Sequence, residues 1–136
     1  MNLCGVNPRF YIGDFVYEAH GCFGPRIQQN LQVVYIFEGD AVIRIDGKEH
    51  ALRAREATLL LPGREEYFAF SKKSRTRHGW CESVSPRIDK SVMHAYRRLP
   101  FSIPFSPRME MLAALALPLN NEVRVSRRRL FAFIYL

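Results

Sequence analysis

The sequence has little cysteine. Its three, Cys4, Cys22 and Cys81, are odd in number and have no C-x-x-C spacing. That excludes a paired disulfide framework and any standard zinc knuckle. It makes the reducing cytoplasm the expected compartment. No apolar run approaches the roughly 18 residues of a membrane helix. The opening MNLCGVNPRFYIGDF has no basic start followed by an apolar stretch, so no secretory signal is expected. The G-x-S-x-G elbow, the P-loop and the glycine-rich dinucleotide fingerprint are all missing. The four histidines, His20, His50, His78 and His94, are scattered. Only His20-Gly21-Cys22 brings a His and a Cys close, and two ligands do not fix a zinc. Each histidine is therefore expected to be exposed or locally bonded. Neither Cys22 nor Cys81 has a base and an orienting group placed beside it, so both are expected to be small buried hydrophobes rather than nucleophiles.

What is present is an ordinary globular composition: 136 residues, 48% hydrophobic and 24% charged. A single domain of this length buries about two-thirds of its unfolded surface and needs no covalent staple. Acidic residues are scarce in the second half. Residues 1–71 carry 7 Lys/Arg and 9 Asp/Glu, residues 72–136 carry 13 and 4, and the net charge is +7. The clusters Lys72–Arg77 and Arg127–Arg129 lack the interleaved aromatics of a single-strand nucleic-acid binder. They are expected to be solvated basic surface.

The first 85 residues read as short strands between turn signals. The clearest are Gln32–Phe37 and Ala41–Ile45, followed by Asp46-Gly47, whose two residues suit a type I′ hairpin turn. Glu49–Leu52, Thr58–Leu61, Tyr67–Phe70, Gly79–Val84 and a stretch within Phe10–Tyr17 bring the total to seven or eight, enough for a small antiparallel barrel. After Pro86 the pattern turns helical. Ser106-Pro107 reads as a cap and first turn, Met109, Leu112, Ala116 and Leu119 lie at helical spacing, and Pro118 is expected to end that helix. Asn120 or Asn121 reads as the cap of a second helix, Glu122–Leu136. Its stripe Val123, Leu130, Phe131 and Ile134 is a candidate dimerisation face. The apolar ending Phe-Ile-Tyr-Leu suggests a piece of a longer protein.

The run QVVYIFEG (Gln32–Gly39) with AVIRIDGKEHALRAREATLLLPGREEYFAF resembles a small cupin (jelly-roll) barrel. More narrowly, it is similar to the N-terminal effector-binding and dimerisation domain of AraC-type transcription regulators. Arg55-Glu56 stands where that family has Gly-Asp, Thr58–Leu61 is the apolar strand, Pro62-Gly63 the turn, and Glu66 occupies a frequent His position. His78-Gly79-Trp80 is similar to the strand that follows, and Arg97–Leu119 to the family's linker into a helical pair. The resemblance spans roughly residues 8–136. It implies a mainly β cupin-like barrel sensor over 1–90 and a linker and helical dimerisation segment over 91–136. It further implies a homodimer, a small-molecule effector inside the barrel, no membrane, and DNA contact only through a C-terminal domain that this chain lacks.

By the same resemblance, the places of a cupin's metal ligands fall near Arg26, Gln28, Gln32 and Glu66. No histidine stands there, and one Glu, an Arg and two Gln do not suit a divalent ion, so no metal, no cofactor and no catalytic residue are expected. Strand alternation puts Gln32, Val34 and Ile36 on one face, with Glu66, Phe68 and Phe70 as a second inward row. The expected ligand contacts are Gln32 and Glu66, with Phe68 and Trp80 as walls and Arg26 and Gln28 completing the polar set. A Glu inside a barrel needs a partner, and Arg26 is the candidate. The alternatives are a metal-free cupin enzyme or stand-alone small-molecule-binding protein, and a nucleic-acid-binding barrel.

Overall fold

A computed structural model describes residues 9–84 and 88–121. The described elements are strands β1 (Arg9–Tyr17), β2 (Cys22–Ile27), β3 (Leu31–Glu38), β4 (Asp40–Ile45), β5 (Lys48–Arg53), β6 (Glu56–Leu60), β7 (Glu65–Phe70) and β8 (Thr76–Val84). Helix α1 (Lys90–Tyr96), strand β9 (Ile103–Pro104) and helix α2 (Pro107–Asn121) follow. The ladders form two antiparallel sheets, β1-β8-β3-β6-β9 and β2-β7-β4-β5. They face each other as a jelly-roll sandwich rather than closing into one continuous barrel.

Alternation builds the core. Along β4, Ala41, Ile43 and Ile45 are buried while Asp40, Val42 and Arg44 are exposed. From the opposite sheet Val34, Ile36 and Leu60 meet them, and Leu52, Phe68 and Phe70 complete the cluster. Each such side chain contributes about 1.5–3 kcal/mol by leaving water. The β4–β5 hairpin forms on Asp46 and Gly47, at φ 47° and 82°, as the Asp-Gly pair predicts.

The outer face of β3 is buried too. Tyr35, Ala57, Phe105 and Ala113 form a second cluster that docks α2 on the five-stranded sheet. The Tyr35 ring stacks on Phe105 at 4.6 Å and 8°. It lies over Gly79 of the neighbouring strand, where an added Cβ would sit 2.2 Å from Tyr35 Cε2. Gly79→Ala is thus expected to lower stability by about 2 kcal/mol through overpacking, read as a shift of the denaturant midpoint. Combined with Tyr35→Val, the loss should be less than the sum of the two single losses.

Several expectations are corrected here. Pro118 does not end α2, which continues to Asn121; the expected second helix, Glu122–Leu136, lies outside the described residues. Ser106 does cap it, its Oγ accepting from Met109 N at 3.2 Å. The buried positions of α2 are Ala113 and Leu117 with Met109 beside them, an i, i+4 ladder, whereas Leu112 is exposed. The docking surface is the flat face around Tyr35 and Phe105, which admits the small Ala113. Strands β2 and β9 and helix α1 were not anticipated. Cys22 is exposed and Cys81 half-buried. The proposed dimerisation residues Val123, Leu130, Phe131 and Ile134 lie outside the described residues. No described helix is long and apolar enough to cross a membrane.

Candidate functional site

Where β2 and β6 end and β3 and β7 begin, four polar side chains meet between the sheets. Glu66 is buried, and Arg26 holds its Oε1 with Nε at 2.7 Å and Nη2 at 2.6 Å. The same Nη2 donates to Gln32 Oε1 at 2.8 Å, which also accepts from Gln28 Nε2 at 3.1 Å. Local chain geometry explains the meeting. Arg26 pairs across the ladder with Glu66, and Gln28 is fixed by backbone bonds to Arg64 and Gly63. Burial pushes the Glu66 carboxyl up, and the Arg26 charge and hydrogen bond pull it back. The guanidinium also lies over the Phe23 ring, 4.8 Å from its centroid. The sequence expectation of an Arg26 partner for Glu66 is met in this geometry.

The chemistry of this set does not fit a metal ion. Its one carboxylate is already held by an arginine, and the other members are two amides. Among the described residues, no three of His, Cys, Asp and Glu come together.

Glu66 also borders a cavity of about 230 Å³. Ile45, Leu60, Leu61 and Phe101 give it apolar walls, and His50, Arg64, Tyr96 and Arg97 are its other polar neighbours. Its cover is the segment between α1 and β9, which sequence reasoning did not place here. Phe101 stacks on His50 at 4.4 Å and 17°, and its carbonyl accepts the Thr58 hydroxyl. Burial, followed by the charges of Lys48 and Arg64, pushes the His50 imidazole down, so it is neutral near pH 7. Arg64 is already paired with Asp46 at 2.8 Å.

Phe68 and Trp80 do not border this cavity. They belong to an aromatic row farther along the interior: Tyr17 stacks on Phe70 at 4.0 Å, and His78 lies 5.2 Å from Phe70 and 5.4 Å from Trp80. Trp80 lies over Gly13, whose added Cβ would approach its ring to 2.5 Å. His78 is buried in this row, and its Nδ1 has no hydrogen-bond partner. Burial pushes its pKa down to about 4, with a hydrogen bond to the Phe15 backbone opposing the shift. His78 is thus buried rather than exposed, and its hydrogen bond goes to its partner residue on the adjacent strand. Alternation through His78-Gly79-Trp80 is the signal that could have placed it inward beside Trp80.

No family model matches the chain, and no curated protein matches it in sequence. Solved structures match it in shape. The cupin domain of Cnp3 from Schizosaccharomyces pombe is 12% identical, with a TM-score of 0.54 over 72% of this chain and 69% of that one. The fold is that of the cupins. This cupin sandwich is also similar to the polyketide cyclase RemF of Streptomyces resistomycificus, 15% identical, TM-score 0.50, covering 71% of this chain and 72% of that one. A third structure is ToxT from Vibrio cholerae, bound to an unsaturated fatty acid. It is 9% identical, with a TM-score of 0.57 over 93% of this chain and 51% of that one. The chain therefore spans about half the length of ToxT.

Proposed function

We propose that this cupin sandwich is the ligand-sensing and dimerisation domain of an AraC-type transcription regulator, non-enzymatic and cytoplasmic. It takes a small effector between its sheets and forms a homodimer, with DNA read by a separate C-terminal domain. The observation that carries this reading is the extent of the ToxT match. ToxT is an AraC-type regulator, and its match takes in 93% of the chain. The Cnp3 and RemF matches stop at 72% and 71%. The larger share supports a common plan of sandwich and following helix rather than a sandwich alone. The chemistry of the site agrees: polar groups answered by one another, beside a small cavity with apolar and polar walls, suit binding.

In such a sensor a ligand acts by binding one arrangement of sandwich and helices better than another. A fusion of the chain to a DNA-reading domain that functions only as a dimer tests the reading. The fusion is expected to restore operator-dependent transcription of a reporter and to make it respond to small molecules in the medium. A folded fusion that leaves the reporter silent contradicts it.

A further inference from the structure

The cavity of about 230 Å³ has two kinds of wall. Ile45, His50, Leu60 and Glu66 belong to the sandwich, while Arg97 and Phe101 belong to the segment after α1. Its charges do not cancel. Glu66 is answered by Arg26, and Arg64 by Asp46. Arg97 is exposed, and none of the described ion pairs includes it. One positive charge is left over at the edge of a chamber that has apolar residues on both walls. The chamber is smaller than the roughly 300–1,000 Å³ of drug-sized pockets, so its ligand is small.

We infer that this cavity binds a small monocarboxylate with an apolar body, its carboxylate on the Arg97 guanidinium and its body against Ile45, Leu60 and Phe101. Arginine suits this task because its planar fork matches a carboxylate and keeps its charge. The inference rests on the sensing role and names the ligand class and the coupling device for it. A ligand held by both walls stabilises the docked position of the segment Arg97–Phe101. That segment continues through β9, paired with β6, into Phe105, which anchors α2 against Tyr35. Ligand binding and the seating of α2 are then linked, and each favours the other by the same free energy.

Benzoate and benzamide share a ring and differ in charge, and an amide-proton NMR titration of the whole chain separates them. Benzoate is expected to shift the signals of His50 and of the segment Arg97–Phe101, and to bind about tenfold more tightly than benzamide, as a charge-assisted contact does. Arg97→Gln, at an exposed position, should bring benzoate down to the level of benzamide without moving the thermal midpoint. Arg97→Lys should keep a preference for the anion. Equal binding of the two probes, unchanged benzoate binding by Arg97→Gln, or no benzoate shift at this cavity would each overturn the inference. None of these results bears on the reporter fusion. Charge-selective binding with a silent fusion would leave the site standing and remove the sensing role.

Discussion

Arg26→Met is expected to cost about 3 kcal/mol of stability at pH 7, the scale for stripping one partner from a buried ion pair. The methionine keeps much of the apolar stem over Phe23, so the loss isolates the charge. Glu66 has a side chain only 1% exposed, whereas that of Arg26 is 30% exposed. Removing the arginine therefore leaves a carboxylate away from water with no counter-charge. The pH dependence follows from the direction of its shift. Burial already pushes Glu66 above its ordinary value of 4.5, and Arg26 opposes this. Without Arg26 the folded-state pKa rises further. A carboxyl whose folded pKa exceeds its unfolded one favours folding when protonated, below the unfolded pKa. That stability is lost as pH rises through the folded value. The variant should thus be closest to the parent at or below pH 4.5, the ordinary value of the carboxyl, and fall behind as pH rises above it. Adding Glu66→Gln should recover most of the loss at pH 7. Denaturant melts of the three proteins across pH check this. A neutral effect of Arg26→Met at pH 7 would mean that Glu66 is hydrated or already protonated.

The second large effect runs the other way with pH. His78 has an ordinary value of 6.5 that burial lowers to about 4 in the folded protein. A base whose folded pKa is depressed contributes stability that is intact above its unfolded pKa. That contribution is lost as pH falls from 6.5 towards 4. The full span corresponds to about 3 kcal/mol. Since Glu66 titrates in the opposite sense, the comparison between variants carries the result. His78→Leu should be close to the parent in stability at pH 7 and clearly more stable than it near pH 4. Equal pH profiles for the two proteins would show that the imidazole reaches water when it charges.

These two residues illustrate how differently the chain declares itself. The strands of the sandwich were legible because one face alternates cleanly, as in Ala41–Ile45, and because Asp46-Gly47 admits little but a tight turn. The outlying elements were not. Strand β2 contains Gly24 and Pro25, its register shifts between Phe23 and Arg26, and only Arg26 along it is not exposed. A bulged edge strand of that kind has no alternation to read. Helix α1 has no buried residue and so shows no apolar face. The polar set Arg26, Gln28, Gln32 and Glu66 was placed by family resemblance, and the Arg26–Glu66 pairing by the need of a buried carboxylate for a cation. The cover of the cavity, Arg97–Phe101, was invisible for a physical reason. Its apolar residues Leu99, Pro100 and Phe101 follow neither the helical nor the strand period. Only packing across more than forty residues, such as Thr58 on the Phe101 carbonyl, brings them to the site.

The central claim is that a cupin sandwich with an arginine-locked glutamate serves binding rather than metal chemistry. Elemental analysis of the purified chain, prepared without chelators, tests it most directly. The account predicts no transition metal in stoichiometric amount, and no change in metal content on Glu66→Ala. One zinc, iron or manganese per chain, lost in the Glu66→Ala variant, would contradict it.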